Sequence, residues 1–195
     1  MLKRLAKQIL LGIFLLFVVL PAAISGFGRW KNLYTFFAHS YALIPGILGD
    51  YLRIAFYKLT LAECSLSSRV SFGTFFAHPE AKLETNAYIG SYCVLGKSVI
   101  GARTQIASNV QILSGKRQHS RNEKGEISGA EKDFFETVTI GPDCWIGAAA
   151  IVMADVGFGT TVGAGSIVTR PIPPRSVAVG NPARVINAVN CKLEV

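Results

Sequence analysis

The sequence predicts a mainly β chain that coils into a three-sided prism and is preceded by membrane-associated helices. Two observations lead to this fold class. Large aliphatic residues recur every six positions in the C-terminal part of the 195-residue chain, and an uncharged apolar run lies between Gln8 and Gly28. We expect residues 1–65 to form a membrane anchor with interfacial helices and residues 66–195 to form the prism.

The apolar run "ILLGIFLLFVVLPAAISGF" is the first predicted element. About 20 apolar residues suffice to cross the hydrocarbon core of a bilayer. Lys3, Arg4 and Lys7 precede the run, which predicts a cytoplasmic N-terminus. A cleaved signal peptide is the competing interpretation, because "PAAISG" offers small residues near a cleavage point.

A second uncharged stretch, Asn32–Gly49, contains aromatic residues and is interrupted by Pro45 and Gly46. This composition favours an interfacial or re-entrant segment. The following "DYLRIAFYKLTLA" is typical of a helix on a membrane surface. The anchor is therefore predicted to be a monotopic hairpin, a two-pass anchor or a single span with a linker. With either of the first two, the prism lies at the inner membrane and faces the cytosol.

The formal net charge of +8, from 20 Lys+Arg and 12 Asp+Glu, suits contact with anionic lipid or phosphate. The basic residues are scattered and lack interleaved aromatics, so nucleic acid is not a predicted partner. The four cysteines lack CxxC spacing, which fits a reduced compartment. Cys93 and Cys144 fall inside the apolar repeats and are predicted to be small core residues.

The repeat of six predicts that three short strands close one triangular coil, with one residue of each strand pointing inward. A helix would require spacings of three and four, and an ordinary strand a spacing of two. Upstream, the repeat runs from Ile89 to Ile112 with one residue missing after Leu95, and about four coils are expected. A glycine or alanine after the inward residue is expected to accept unusual backbone angles at the corner. Downstream, the predicted inward residues are Ile140, Ile146, Val152, Phe158 and Ala164.

The segment "IGPDCWIGAAAIVMADVGFGTTVGAGSIVTRPIPPRSVAVGNPARVI" resembles the hexapeptide-repeat acyltransferases, which fold as a left-handed parallel β-helix. It is similar to the maltose, serine and antibiotic acetyltransferases. The resemblance covers about Val70 to Val189 and does not extend to the first sixty residues. It implies acetyl-CoA or another acyl-CoA as co-substrate. It also implies a homotrimer with sites between neighbouring prisms.

The repeat stops after Ile112 and resumes at Ile140, which leaves a polar loop at residues 113–139. Loops of this length are usually functional or disordered. In the family that the chain resembles, such a loop carries a histidine that reaches a cleft against the next subunit, and the matching residue is His119. An imidazole with a pKa near 6.5 suits the removal of a proton from the attacking acceptor. A solvated loop histidine is the alternative.

Arg117 and Arg121 flank His119 and are candidate ligands of an anionic acceptor such as a nucleotide-sugar or a lipid pyrophosphate. They also suit a solvated loop. An acidic residue that orients the imidazole is expected but not identified. His39 and His78 are predicted to be structural, which leaves too few histidines for the three-histidine zinc site of a γ-class carbonic anhydrase. No metal is predicted.

The donor side is predicted along one edge of the prism, where small residues leave backbone amides open. The resemblance implies that this edge receives the pantetheine arm of coenzyme A and that an amide near the thioester stabilises the oxyanion. Trp145 is expected to pack against the ligand or against another subunit. The predicted edge consists of Gly147, Ala148, Gly163, Ala164 and Gly165, and the phosphates of the coenzyme are assigned to Arg170, Arg175 and Arg184 of the tail, residues 170–195.

The sequence therefore predicts a membrane-anchored, trimeric acyltransferase that transfers an acetyl group from acetyl-CoA to a sugar hydroxyl, with His119 as general base. The expected acceptor belongs to the biosynthesis of a surface polysaccharide or glycolipid. N-acetylation of an amino sugar is a close variant. A non-catalytic β-helix scaffold of a membrane glycan-assembly complex is the alternative from a different class.

Overall fold

The structure is a computed structural model that describes residues 2–116, 119–127, 129 and 135–188. Three helices come first: α1 at Leu2–Ile24, α2 at Lys31–Ala42 and α3 at Gly46–Thr60. Within the described residues, no helix is both long and apolar enough to span a bilayer, and the predicted membrane span is therefore not supported.

Short parallel strands follow the helices and wind into a solenoid. The strands, in chain order, are β1 Glu63–Cys64, β2 Arg69–Val70, β3 Phe75–Phe76, β4 Lys82–Leu83, β5 Tyr88–Ile89, β6 Val94–Leu95, β7 Ser98–Ile100, β8 Gln105–Ile106, β9 Gln111–Ile112, β10 Val138–Ile140, β11 Trp145–Ile146, β12 Ile151–Val152, β13 Thr161–Val162, β14 Ile167–Val168, β15 Ser176–Val179 and β16 Arg184–Ala188.

The strands form three sheets, which are the three faces of the prism. Face A has the order β1-β4-β7-β10, face B the order β2-β5-β8-β11-β13-β15-β16, and face C the order β3-β6-β9-β12-β14. Single parallel bridges at Val156 and Ile172 continue face A. The last strand of face B, β16, pairs antiparallel with β15. The predicted mainly β parallel solenoid is confirmed.

The core is a stack of mostly aliphatic side chains from successive strands, aligned by the parallel register. Along face B, six buried residues of successive coils are in register, one from each coil. The solenoid therefore has more than the four coils that were expected. Cys93 and Cys144 are buried beside this stack, as predicted. The six residues are Val70, Ile89, Ile106, Ile146, Val162 and Ala178.

The predicted inward residues are wrong after Val152. Phe158 is 45% exposed and Ala164 is exposed, whereas Val156 and Val162 are buried. The chain takes four residues, not six, from Val152 to the next inward residue at Val156. The inward positions Val156, Val162 and Val168 are therefore shifted by two residues relative to the predicted repeat.

All the variation in coil length lies at one corner of the prism, which we call the C–A corner, where the chain passes from face C to face A of the next coil. The steps from A to B and from B to C are six residues, as in Ile140, Ile146 and Val152. At the C–A corner the steps are seven from Phe76 to Leu83, five from Leu95 to Ile100, 28 from Ile112 to Ile140, and four from Val152 to Val156.

The glycines that follow the observed inward residues, such as Gly101 and Gly147, are required by close packing between coils, whereas Gly159 and Gly165, after the predicted inward residues, have left-handed φ of 64° and 67°. A Cβ on Gly147 would lie 2.4 Å from the backbone nitrogen of Ala164, and one on Gly101 would lie 2.4 Å from that of Pro142. The left-handed backbone falls instead three residues before an inward residue, as at Asn86, Asn109 and Asp143 with φ of 57°, 61° and 58°.

Candidate active site

The long loop leaves the prism at the C–A corner through a narrow neck. The carbonyl of Ser114 accepts a hydrogen bond of 3.1 Å from the amide of Glu136. The Ser114 hydroxyl accepts a 2.8 Å bond from the amide of Lys97 in the coil below. Gly115 is left-handed with φ +85°, and a Cβ there would lie 2.7 Å from Glu136 Oε2. The two ends of the loop are therefore fixed on the solenoid.

His119 lies on this loop, five residues beyond Ser114, and is exposed. A tight turn follows it, because Arg121 and Ile127 form an antiparallel bridge. The side-chain oxygen of Asn122 accepts hydrogen bonds of 3.0 Å from the amides of Lys124 and Glu126. The loop thus presents an imidazole next to an ordered hairpin turn.

Arg121 helps to build that turn, since its Nη1 donates a 2.6 Å hydrogen bond to the carbonyl of Gly125. The other arginine predicted to bind the acceptor, Arg117, lies outside the described residues. A role for either arginine in binding an anionic acceptor stays a prediction.

Three of the five amides predicted to be open along the donor edge are hydrogen-bonded to neighbouring coils. Gly147 donates to Val162 at 2.8 Å. Gly163 donates to Ala178 at 2.9 Å, and Gly165 donates to Ala148 at 2.8 Å. These bonds contradict the prediction that all five amides are open. In the described part of the chain, the amides of Ala148 and Ala164 donate no backbone hydrogen bond, and both residues are exposed.

Ala148 and Ala164 lie at the same corner of successive coils, between β11 and β12 and between β13 and β14. We call this the B–C corner. Trp145 is on the outer side of β11, 59% exposed, and in register with Gln105 and Thr161. An aromatic ring of this size on an open face can pack against a ligand or a second protein.

The three arginines assigned to the coenzyme phosphates lie at three different corners of the prism, so the chain does not form the predicted cluster by itself. Arg184 pairs with Val179 near the B–C corner. Arg170 follows β14 at the C–A corner. Arg175 precedes β15 at the remaining corner, where its guanidinium carbon lies 5.3 Å from the ring centroid of Phe158.

The structure also forms a pocket of about 470 Å³ that the sequence did not predict. The pocket lies at the C–A corner, below the loop neck, and brings side chains from the α1–α2 connection next to the solenoid. Burial and the nearby charge of Lys31 lower the pKa of His78 below its ordinary value of 6.5. The lining includes Phe27, Arg29, Lys31, His78, Glu80, Lys97 and Phe135.

The ionisable side chains are not arranged as a metal site. Within residues 2–116, 119–127, 129 and 135–188, no group of three or more His, Cys, Asp or Glu side chains is placed to hold a metal ion.

Part of the chain is similar in sequence to acetyltransferases. No family model matches it. Over 95 residues, 47% of this chain, it is 37% identical to the galactoside O-acetyltransferase of Escherichia coli K12, and the matched segment is 44% of that protein. The chain thus spans less than half of the length of the curated relatives that it matches. In three of them the matched segment is 42%, 34% and 44% of the relative's own length.

Solved structures with the same architecture cover most of the chain. A galactoside acetyltransferase in complex with coenzyme A superposes with a TM-score of 0.54 at 24% identity, covering 85% of this chain and 83% of that one. A hexapeptide-repeat-containing acetyltransferase of Vibrio cholerae, complexed with acetyl coenzyme A, superposes with a TM-score of 0.50 at 18% identity, covering 87% of this chain and 90% of that one. The fold is that of the hexapeptide-repeat acetyltransferases.

In this hexapeptide-repeat fold, the predicted site has two parts, the loop with the predicted catalytic histidine and the amides for the acyl donor, and they lie at different edges of the prism. The loop with His119 leaves at the C–A corner, whereas the exposed amides of Ala148 and Ala164 lie at the B–C corner. The sequence predicted both parts, and it did not predict the pocket at the C–A corner.

Proposed function

We propose that the protein is an acyl-CoA-dependent acyltransferase that acetylates a sugar hydroxyl, with acetyl-CoA as donor and His119 as general base. The observation that carries the proposal is the 37% identity over 95 residues to a galactoside O-acetyltransferase. The loop that projects His119 from the prism supplies a base of the required type.

In the proposed reaction, the acceptor hydroxyl attacks the carbonyl carbon of the thioester while His119 removes the hydroxyl proton. The tetrahedral intermediate carries its negative charge on the former carbonyl oxygen. An exposed backbone amide, at Ala148 or Ala164, is suited to donate a hydrogen bond to that oxygen. The C–S bond then breaks, the thiolate of coenzyme A leaves, and the imidazolium returns a proton to it.

We propose that the active form is a homotrimer whose sites lie between neighbouring prisms. The support is the placement of the two halves of the site at different corners, since one subunit can then present His119 to the amides of the next. The exposed Trp145 and Phe158 add aromatic surface that an interface would cover. In such an assembly, Arg170, Arg175 and Arg184 from different subunits can approach one coenzyme.

A further part of the proposal is that the helices associate with one leaflet of the inner membrane. The solenoid then faces the cytosol, where acetyl-CoA is available. Large apolar side chains project from α1 to α3 into solvent, with 78% exposure at Leu16 and 69% at Phe17. A set of large exposed apolar side chains on neighbouring helices is typical of an interaction surface. Arg29 and Lys31 are exposed beside it and suit anionic headgroups. Its other members are Leu20, Trp30, Phe36, Leu43, Ile47 and Leu48.

The test is calorimetric binding of acetyl-CoA to the detergent-solubilised full chain, followed by transfer assays with lipid-linked sugars, free sugars and amino sugars. His119→Ala is expected to lower turnover by about 10²–10⁴-fold without weakening acetyl-CoA binding. His39→Ala, which removes an exposed histidine of α2, is the matched control and should retain activity.

One result would overturn the enzyme proposal, and a second would overturn the role of His119. If the folded wild-type protein binds no acetyl-CoA, the scaffold alternative is favoured. If His119→Ala keeps full turnover, the histidine is a solvated loop residue, and another group removes the proton from the acceptor. Transfer to amino sugars alone would correct the acceptor group from oxygen to nitrogen.

A further inference from the structure

We propose that the pocket at the C–A corner binds a phosphate or diphosphate group of the acceptor through Arg29, Lys31 and Lys97. This inference rests on the proposed acyltransferase function, for which it names the chemical class of the acceptor: a sugar carried on a diphosphate.

The charges in the pocket come from separate parts of the chain and converge there. Arg29 and Lys31 belong to the α1–α2 connection and the start of α2, and Lys97 belongs to the second coil. None of the three is in an ion pair with an acidic side chain of the described residues. Glu80 is the acidic residue in the lining, and it is directed to His78, with 3.9 Å between its Oε2 and Nδ1. Converging cations without acidic partners are what an anionic ligand requires.

The pocket has walls fixed by backbone packing. Gly28 adopts a φ of +93°, and a Cβ on it would lie 2.5 Å from the carbonyl oxygen of Thr60 and 2.9 Å from Pro79 Cβ. The amide of Ala62 donates a 2.7 Å hydrogen bond to the carbonyl of Pro79. The connection between α1 and α2 is therefore pressed against the end of α3 and the first coil. A volume of about 470 Å³ lies within the roughly 300–1,000 Å³ of small-molecule sites.

The pocket is joined to the loop that carries His119. The Phe135 ring, at the C-terminal end of the loop, lies 4.8 Å from the His78 ring, and Lys31 Nζ lies 5.7 Å from the Phe135 centroid. The amide of Lys97 donates to Ser114 Oγ, and its carbonyl accepts a 3.0 Å bond from Val138. A diphosphate bound here would hold the attached sugar beside the base of the loop.

The pocket also borders the apolar surface of the helices, since Phe27 lines it and is 51% exposed. Trp30, 61% exposed, follows three residues later. The same diphosphate chemistry is present in a prenyl-linked sugar and in a nucleotide-sugar. The apolar rim allows the first source, and the experiment distinguishes the two.

The test uses the full chain in detergent and titrates it with inorganic pyrophosphate by calorimetry. Lys31→Gln and Lys97→Gln are each expected to weaken pyrophosphate binding by about tenfold or more, because each removes a charge-assisted hydrogen bond. Lys82→Gln is the matched control, since Lys82 lies on β4 and is not among the residues that line the pocket, and it should bind as the wild type does. Thermal unfolding of each variant confirms that it is folded.

The source of the diphosphate is distinguished with two further probes, which are farnesyl diphosphate in phosphatidylcholine vesicles and uridine diphosphate in solution. Loss of binding in both lysine variants supports the inference, and the tighter of the two probes identifies the source. The inference is overturned if wild-type protein does not bind pyrophosphate, or if Lys82→Gln weakens binding as much as the pocket variants do.

The same samples are titrated with acetyl-CoA, which separates this inference from the proposed function. Retained acetyl-CoA binding and His119-dependent transfer without pyrophosphate binding would overturn the pocket alone. Pyrophosphate binding without acetyl-CoA binding would overturn the acyltransferase function and leave an anion pocket of another kind.

Discussion

Arg53 Nε donates a hydrogen bond of 2.8 Å to the backbone carbonyl of Val70, and this bond joins α3 to the first coil of the solenoid. The same guanidinium donates to the carbonyls of Tyr41 at 2.9 Å and Ile44 at 2.8 Å, and to Asp50 at 2.6 Å. The Arg53 side chain is fully buried. Arg53 therefore forms a buried polar connection between the helices and the solenoid, in addition to the bonds of Tyr34 and Tyr57 to the backbone of Phe76.

Replacing Arg53 with methionine is expected to lower the free energy of unfolding by about 3–5 kcal/mol, because four carbonyls and a carboxylate lose their buried donor. Urea denaturation followed by circular dichroism measures the change. Arg69→Met is the control, since Arg69 also contacts Asp50, at 2.7 Å, but is 61% exposed. We expect it to cost at most about 1 kcal/mol. Equal losses in the two variants would contradict the role given to Arg53.

Gly147→Ala is expected to destabilise the solenoid by about 1–3 kcal/mol. Its new Cβ would lie 2.4 Å from the nitrogen of Ala164, which is backbone and cannot rotate away. Thermal unfolding measures the effect. In Gly129→Ala the added Cβ meets no atom of the described residues within 4 Å, and the melting temperature should be unchanged. A stable Gly147→Ala protein would show that the coils can separate at this corner.

His78 should make the protein less stable in acid. Burial, with a contribution from Lys31, lowers the pKa of His78 below 6.5, so the folded chain binds the proton less tightly than the unfolded chain does. The stabilising contribution is complete above about pH 6.5 and is lost as the pH falls through the lowered pKa. Unfolding free energies from pH 7.5 to 5 should therefore fall more steeply for the wild type than for His78→Gln.

A second variant tests the cause of that pH dependence. Lys31→Gln removes a nearby positive charge, which raises the pKa of His78 towards its ordinary value. Its stability should fall less steeply with acid than that of the wild type. Identical slopes for all three proteins would rule out His78 as the titrating group.

The apolar surface of the helices should bind lipid. Leu16→Ser and Phe17→Ser each remove a large exposed apolar side chain, and each is expected to weaken binding to vesicles with anionic lipid by about tenfold or more. Cosedimentation measures the bound fraction. The control is Ile127→Ser, because Ile127 is 65% exposed but lies in the loop hairpin. Comparable losses with the control would exclude a specific membrane face.

The solenoid was predictable because two of the three steps in a coil place inward side chains six residues apart, and the sequence displays that spacing directly. The shift after Val152 was not predictable, because the sequence there fits two frames. Phe158 continues the spacing of six, but Val156 and Val162 are the residues that are buried. Only packing against the neighbouring coil decides between the frames, and it places Phe158 outside, next to Arg175.

The site was predictable in part for a similar reason. A break in a regular repeat marks the loop that carries His119, and the structure places that loop at a corner. The anion pocket leaves no such mark, because Arg29 and Lys31 are far from His78 and Lys97 along the chain. In the sequence, Arg29 and Lys31 follow an apolar run, where basic residues are also expected at a membrane boundary. Only the packing of the helices on the first coils brings them to the pocket.

The variable C–A corner has a consequence for how the chain tolerates changes in length. An extra residue at either of the other corners would turn every later side chain of that coil from the core to the surface. An extra residue at the C–A corner would lengthen only a turn that already ranges from four to 28 residues between inward positions. Libraries of random insertions and deletions should therefore yield folded proteins mainly when the change falls there, and new binding loops can be grafted at that edge.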